Sequence, residues 1–229
     1  MPPSLTARET RKAARAAITT LERHDLKSCL FGSAACAIYG TENREPNDVD
    51  LIVLTDMDPE DIKDLLASSN DKFYLVPSTN PRNTYQVLWF SLPSPRGRGC
   101  GRGRQGRSCK VDILIPGLLS IPNIPPRRIV YVEPFDGIPV VPLLALLLLK
   151  LRGWTDHMED RRRRMREKVE VDEEDIDELL QLAVEEYDGV HRNKARWMPR
   201  WFVREAKERV ERYVEAWPDS ADFWSELGF

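Results

Sequence analysis

The amino-acid sequence predicts an α+β protein, in which a mixed β-sheet with flanking helices precedes a C-terminal helical domain. Short segments rich in β-branched and aromatic residues alternate with helical patterns in the first half of the chain, and long apolar stripes of helical spacing fill the second half. A proline-punctuated connection, IPNIPPRRIVYVEPFDGIPVVP, separates the two halves. We therefore expect one domain over residues 1–140 and a helical domain over residues 141–229.

The first half begins with a helix, which a strand, a second helix and a second strand follow. SLTARETRKAARAAITTLERH, residues 4–24, places apolar residues at helical spacing after a Ser or Thr cap. SCLFG predicts a strand that ends at Gly32, and SAACAIYG predicts a helix that starts at Ser33 and closes at Gly40. The turn-rich loop TENREPN then leads into DVDLIVL, which has the composition of a strand.

A third helix, three further strands and one insertion complete this half. Asp58 is a candidate N-cap with Pro59 at the first helical position, and KFYLV, TYQVLWFSL and KVDILIPG have the composition of strands. Residues 93–109, PSPRGRGCGRGRQGRSC, lie between the last two strands and cannot bury apolar surface, so we expect a disordered Arg/Gly-rich insertion. Two interpretations of it stay open: it recruits RNA, or it is a solvated loop without a partner.

The second half of the chain is expected to contain three long helices. Their predicted bounds are Pro142–Gly153, Asp172–Tyr187 and Arg200–Trp217, each with an apolar stripe of helical period. The Leu-rich run LLALLLLKL is far too short to cross a bilayer, so we interpret it as a buried helix and expect no membrane partner.

Composition excludes several classes of function. The chain has 229 residues, of which 41% are hydrophobic, and a formal net charge of -3, so its overall field does not favour nucleic acid or a membrane surface. The four cysteines lack the CxxC spacing of a zinc site and the three histidines are scattered. Reduced thiols fit a cytoplasmic protein, with the nucleus as the other option.

Acidic residues open two of the predicted strands. Side chains alternate along a strand, so Asp48 and Asp50 in NDVDLIVL share one face, and Asp112 in CKVDILIPG opens a later strand in the same way. Carboxylates that converge repel one another unless a cation lies between them, and hard divalent cations prefer oxygen ligands. The pattern therefore predicts a site for Mg²⁺, or Mn²⁺ in its place, at these three residues.

A glycine-serine pair precedes the first of these strands. A chain that leaves a strand at Gly32 and enters a helix at Ser33 exposes backbone N–H groups and a hydroxyl, which suit a phosphate. Beside a divalent cation, the expected ligand is a nucleoside triphosphate.

At these residues the chain resembles the DNA polymerase β-like nucleotidyltransferase superfamily. The motif is a strand, Gly-Ser, a helix, a strand that opens with Asp-x-Asp and a later strand with a third Asp, and it spans roughly Leu21–Gly117. The resemblance implies the nucleotidyltransferase fold, with the roles divided among five residues. Gly32 and Ser33 would hold the triphosphate, Asp48 and Asp50 two metal ions, and Asp112 one metal ion and the incoming hydroxyl.

The helical half is similar to that of minimal nucleotidyltransferases, such as abortive-infection toxins and antibiotic adenylyltransferases. The similar segment is LLLLKLRGWTDHMEDRRRRMREKVEVDEEDIDELL. On that resemblance Lys150 reaches the nucleotide phosphates, whereas its sequence context alone equally fits a lysine that snorkels from the end of a buried helix.

The implied function is metal-dependent transfer of a nucleoside monophosphate from a nucleoside triphosphate to a hydroxyl acceptor by a two-metal mechanism. The acceptor stays open among RNA, a protein side chain and a small molecule. The competing hypothesis is a non-catalytic nucleotide- or RNA-binding protein, or an antitoxin-like partner of another chain, that retains the fold.

Overall fold

A mixed β-sheet forms the centre of the molecule. The structure is a computed structural model that describes residues 4–78, 84–93 and 107–229. Its strands are β1 (Ser28–Phe31), β2 (Asp48–Val53), β3 (Phe73–Pro77), β4 (Gln86–Ser91), β5 (Ser108–Leu114), β6 (Val130–Tyr131) and β7 (Pro139–Val140). Within the described residues their order in the sheet is β3-β4-β5-β2-β1-β7-β6. The central strand β2 pairs parallel with β5 and antiparallel with β1.

Helices cover the sheet and form the second half of the chain. They are α1 (Ala7–Glu22), α2 (Gly32–Tyr39), α3 (Pro59–Ser69), α4 (Leu143–Glu159), α5 (Arg163–Arg166), α6 (Val169–Glu185), α7 (Arg200–Ala216) and α8 (Ala221–Glu226). α1 packs on β1, β2 and β5, and α2 lies between the sheet strands β1 and β2 and the helices α4 and α6.

α1 forms where the sequence predicts a capped amphipathic helix. Thr6 and Glu9 make a capping box: the Glu9 backbone N–H donates to Thr6 Oγ1 at 3.3 Å, and the Thr6 N–H donates to Glu9 Oε2 at 3.0 Å. One side of the helix is buried against the sheet. The residues on this side have small or aliphatic side chains: Ala13, Ala14, Ala17, Ile18 and Leu21. The opposite side of the helix faces outward.

The strand core follows the period of two that the sequence predicts. Val49 and Leu51 of β2 and Val111 and Ile113 of β5 are buried, while the residues between them at the start of each strand are partly exposed. The outward-facing positions include Asp48 and Asp50 at the start of β2 and Lys110 and Asp112 in the middle of β5. Burial of the apolar face therefore determines which way the carboxylates point.

The helical half packs around the Leu-rich helix. Every residue of α4 from Leu143 to Leu151 is buried, because α2, α6 and α7 all contact this helix. The Trp154 and Tyr213 rings pack edge to face, with centroids 5.0 Å apart. The prediction that α4 ends at Gly153 is wrong: the helix continues to Glu159, because Trp154 and Thr155 are buried in the same core.

Two further boundaries differ from the sequence-based expectation. The predicted insertion 93–109 falls mostly outside the described residues, but Ser108 and Cys109 belong to β5, where the fully buried Cys109 pairs with Phe90 of β4. The proline-rich connection also contains two short strands, β6 and β7, at the end of the sheet. In the part of the chain that the structure describes, no helix is long and apolar enough to span a membrane.

Candidate active site

The three predicted metal-binding carboxylates lie on one face of two neighbouring strands. The parallel register of β2 and β5 places Asp50 beside Asp112 and Asp48 beside Lys110. Adjacent strands are about 5 Å apart, and alternate residues of a strand share a face. The sheet thus gathers Asp48, Asp50 and Asp112 as the sequence predicts, and adds Lys110 to the same face. All four side chains are partly exposed; Asp48 and Asp50 lie at the start of β2, whereas Asp112 does not open its strand as predicted but is the fifth residue of β5.

The turn between β1 and α2 approaches one of these carboxylates closely. Gly32 has a φ of +64°, and a Cβ at this position would lie 2.9 Å from Cγ of Asp50 and closer still to its Oδ2. A side chain larger than hydrogen would therefore displace Asp50. Ser33 follows in the first turn of α2 and is buried, and no side-chain hydrogen bond caps this helix at its N-cap residue Phe31. Gly32 is thus in contact with the acidic face, and Ser33 is the next residue along the chain.

Asp50 carries the electrostatic consequence of this crowding. Burial disfavours its ionised form, and repulsion by Asp48 and Asp112 adds to that effect, so the pKa of Asp50 rises to about 7. Lys150 and Lys110 partly offset the shift. The three carboxylates therefore act on one another as charges, and a cation placed among them would relieve the repulsion.

Lys110 is the site residue that the sequence-based reasoning missed. Its Nζ lies 2.5 Å from Asp112 Oδ2, and both side chains are about one third exposed, at 37% and 35%. Burial works against the ammonium, but the hydrogen bond and attraction to Asp112 outweigh it, so the pKa of Lys110 is raised. The signal was present in the sequence, because Lys110 precedes Asp112 by two residues and must share its face.

The carboxylate oxygens of this face are the ligands that a hard divalent cation prefers, although the side chains do not converge on one metal position. Asp48, Asp50 and Asp112 supply carboxylate oxygens and excess negative charge, as Mg²⁺ or Mn²⁺ requires. Within the described ranges, no three His, Cys, Asp or Glu side chains are already arranged around a metal position. The ion pair with Lys110 accounts for part of this, because it directs Asp112 toward the ammonium.

Lys150 lies in a second charged cluster beside the acidic face. Its Nζ donates to Asp175 Oδ2 at 2.5 Å, and the residue is only 8% exposed. The interpretation of Lys150 as a snorkelling lysine is therefore wrong, since its ammonium points into a buried ion pair and not toward solvent. Its charge also acts on Asp50, so it lies within electrostatic range of the site. Contact with nucleotide phosphates stays a prediction.

Asp175 is the centre of this cluster. Arg44 binds it through two hydrogen bonds, from Nε to Oδ1 at 3.0 Å and from Nη2 to Oδ2 at 2.6 Å, and Asn43 Nδ2 donates to Oδ1 at 2.7 Å. Burial alone would raise the pKa of Asp175, but these partners and Lys150 lower it to about 2. Because Arg44 and Asn43 belong to the loop before β2, the cluster anchors that loop to α6 and so positions Asp48.

Comparison with solved structures identifies the fold. The chain is similar to an antigenic nucleotidyltransferase-like protein from Paracoccidioides brasiliensis, with 16% identity, 98% of this chain and 95% of that chain covered, and a TM-score of 0.69. It is more weakly similar to JHP933 from Helicobacter pylori, with 16% identity over 77% of this chain and 71% of that chain and a TM-score of 0.43. No protein-family model and no curated protein sequence matches the chain.

The first of these similarities confirms the predicted fold. The protein has a nucleotidyltransferase-like fold: a mixed sheet with flanking helices and a C-terminal helical region. At 16% identity the likeness concerns the fold alone, and the chemistry of the site depends on this chain's own residues. The division into domains at residue 140 stays a prediction.

Proposed function

We propose that this protein is a metal-dependent nucleotidyltransferase, which transfers a nucleoside monophosphate from a nucleoside triphosphate to a hydroxyl acceptor. One observation carries the proposal: Asp48, Asp50 and Asp112 lie on one face of adjacent strands, and the Gly32 turn leaves no room for a side chain against Asp50. A purely structural role does not account for three carboxylates that repel one another, whereas a cation-dependent reaction requires them.

The residues of the β2–β5 face and of the turn before α2 would have different roles in the reaction. Asp48, Asp50 and Asp112 would hold the divalent cations, which when bound lower the pKa of an acceptor hydroxyl and neutralise charge on the triphosphate. Asp112, whose side chain is 35% exposed, would accept the proton of the acceptor hydroxyl. The backbone N–H groups at Gly32 and Ser33 would bind the triphosphate at the start of α2, where the N-cap residue Phe31 makes no side-chain hydrogen bond to the helix.

Lys110 favours a second candidate function, a non-catalytic nucleotide- or RNA-binding protein. An ammonium 2.5 Å from Asp112 already neutralises part of the charge that a metal ion would neutralise. If the protein is a transferase, Lys110 competes with the cation, and Lys110→Gln tightens the binding of Mg²⁺ with nucleotide. If it is a binder without metal, Lys110→Gln lowers the melting temperature and leaves nucleotide affinity independent of Mg²⁺.

The transferase proposal is tested by a search for the labelled product. Cell extract is incubated with the purified protein, labelled nucleoside triphosphates and Mg²⁺, and the products are identified by mass spectrometry. The expected result is a nucleoside monophosphate adduct that is lost with Asp112→Asn and with EDTA. Absence of any adduct, together with Mg²⁺-independent nucleotide binding, would favour the non-catalytic function.

A further inference from the structure

The outward side of α1 carries a stripe of basic residues. Arg8, Arg11, Lys12 and Arg15 are spaced as i, i+3, i+4 and i+7, which places them on one side of a helix over about 10 Å. They lie opposite the buried side of α1. Arg8, Lys12 and Arg15 are exposed and Arg11 is partly buried. None of the four forms an ion pair with a residue that the structure describes.

This stripe forms one wall of a cleft of about 670 Å³, which Arg107 and Phe135 also line. The Arg11 guanidinium lies 4.6 Å from the centroid of the Phe135 ring, so this cation is held in place by the ring. Glu9 is the one acidic residue among those that line the cleft, and it is already engaged by the helix cap and by Arg107 at 3.0 Å. The cleft therefore contains five cations and one carboxylate. Because Arg107 and Glu9 form an ion pair, the excess positive charge comes from the four cations of α1.

The cleft lies at the same end of the sheet as the carboxylates. The Ala7 N–H donates to Glu45 Oε2 at 2.5 Å, three residues before Asp48. On the neighbouring strand, Arg107 Nη2 donates to Ser4 O at 2.6 Å, five residues before Asp112. The first turn of α1 thus contacts the chain just before both acidic strands begin.

The chemistry of the cleft selects its partner. The protein as a whole carries a formal net charge of -3, so the row of four cations on α1 is a local feature and does not follow from composition. Cations that extend along a groove follow a phosphodiester backbone, and the Arg11 guanidinium, held over the partly buried Phe135 ring, is fixed in that row. A single small anion would be served by fewer cations.

A second basic cleft serves as the comparison. Arg200, Arg204 and Lys207 of α7 line a cleft of about 610 Å³, but α7 packs mainly on α4, whereas α1 packs on β1, β2 and β5. Its stripe is exposed like that of α1 and has the same charge over the same helical spacing. It therefore tests whether position matters beyond net charge.

We propose that the α1 cleft binds the backbone of a single-stranded polynucleotide and that this strand is the acceptor, with its terminal hydroxyl directed to Asp112. The binding surface stands on the geometry of α1 alone, whereas the acceptor role rests on the proposed transferase function. The acceptor substrate of the site formed by Asp48, Asp50 and Asp112 would then be a polynucleotide.

The experiment measures the affinity for a fluorescein-labelled 15-nucleotide oligo(U) by fluorescence anisotropy, at about 50 and 200 mM KCl. The test variant is Arg8→Gln/Lys12→Gln/Arg15→Gln, and the matched control is Arg200→Gln/Arg204→Gln/Lys207→Gln. In the test variant we expect Kd to rise at least tenfold at the lower salt. The slope of log Kd against log salt should fall by about 2, because each lost phosphate contact contributes about 0.7 on a single strand.

The control triple should change Kd by less than twofold, and Arg8→Lys/Arg15→Lys, which keeps the charge, should bind as the wild type does. A comparison of the Kd for oligo(U) with the Kd for oligo(dT) of the same length shows whether the cleft prefers RNA or DNA. The proposal is overturned if the wild type does not bind either strand, if the test triple keeps wild-type affinity and salt slope, or if both triples lose affinity equally.

Failure of this inference is distinguishable from failure of the transferase proposal. Stabilisation of the fold by nucleoside triphosphate with Mg²⁺ depends on Asp48, Asp50 and Asp112, and it is measured without any polynucleotide. The test triple should keep that stabilisation in full. Loss of oligonucleotide binding with retained nucleotide binding then assigns the effect to the α1 cleft.

Discussion

Two charge clusters lie side by side in this fold, and they are balanced in opposite ways. On the β2–β5 face, three carboxylates meet one ammonium, and burial with mutual repulsion raises the pKa of Asp50 to about 7. Behind it, one carboxylate meets two cations, and Arg44 with Lys150 lowers the pKa of Asp175 to about 2 despite its burial.

The difference indicates that the Asp175 cluster stabilises the fold, whereas the β2–β5 face is suited to binding a cation. Asp175 is satisfied by its own neighbours, so its cluster holds the loop before β2 in place without any ligand. The β2–β5 face has an excess of negative charge that no described neighbour removes, and such an arrangement lowers stability until a cation binds. The first cluster should therefore matter most for folding and the second for activity.

The largest effect is expected from removing charge on the acidic face. Asp48→Asn, Asp50→Asn and Asp112→Asn keep the shape of the side chain but lose the ligand charge. Each should lower the rate of nucleotidyl transfer by roughly 10³-fold or more, on the order of 4 kcal/mol in the barrier. Steady-state assays with the acceptor found by mass spectrometry provide the measurement.

Asp48→Asn and Asp50→Asn should melt at or above the wild-type temperature in metal-free buffer, because each relieves repulsion, whereas Asp112→Asn also loses the partly exposed ion pair with Lys110 and should melt close to the wild-type temperature. This control separates lost chemistry from lost folding. Activity that survives in any one of them would mean that this residue has been wrongly assigned as a metal ligand.

The next largest effect concerns the balanced cluster. Asp175→Asn leaves the buried ammonium of Lys150 and the guanidinium of Arg44 without their counter-charge, so the free energy of unfolding should fall by about 3 kcal/mol. Urea unfolding at neutral pH measures it. The matched control is Asp177→Asn, two residues along α6, where the side chain is exposed and the change should stay within about 0.5 kcal/mol.

The pH dependence of this pair has a defined sign. The pKa of Asp175 is lowered in the native state, so its stabilisation is complete above its ordinary value near 4 and is lost as the pH falls toward 2. The difference in stability between the wild type and Asp175→Asn should therefore shrink below pH 4. A difference that stays constant between pH 7 and pH 3 would argue against the ion pairs as its cause.

A smaller effect tests the turn that contacts the acidic face. Gly32→Ala requires a side chain at a φ of +64° and in the space of the Asp50 carboxylate, so it should lower the free energy of unfolding by about 1–3 kcal/mol. Gly153→Ala, in the middle of α4 with open space around its Cβ position, should raise it by about 0.5–1 kcal/mol. Equal effects of the two substitutions in chemical denaturation would contradict the described contact.

Local patterns predicted much of this molecule. Alternation along β2 and β5 requires Asp48, Asp50 and Asp112 to point away from the buried Val and Ile residues, so their common face follows from the sequence alone once the strands are assigned. The helix that starts at Ala7 was visible in its cap residue Thr6 and its buried alanines.

Long-range partners were not visible in the sequence. The parallel register that aligns Asp48 with Lys110 depends on which strands become neighbours, and no local pattern specifies that. The pairing of Lys150 with Asp175 joins residues 25 positions apart, and that of Arg44 with Asp175 joins residues 131 apart. A clue existed in α6, where Asp175 immediately precedes Ile176 of the apolar stripe and so borders the buried side.

The most direct test of the unbalanced face is a thermal melt of the wild type and Asp50→Asn at pH 8, with and without Mg²⁺ and nucleoside triphosphate. The native pKa of Asp50 is raised, so the stability it confers when protonated is lost as the pH rises through about 7, and at pH 8 without metal the Asn variant should be at least as stable as the wild type.

With millimolar Mg²⁺ and triphosphate the wild type should gain about 2–3 kcal/mol, as expected at a ligand concentration roughly 100-fold above Kd, which is about 5–10 °C in melting temperature for a chain of this size. Asp50→Asn should show little or no gain. An equal shift in both proteins, or no shift in the wild type, would contradict the assignment of this face as a metal and nucleotide site.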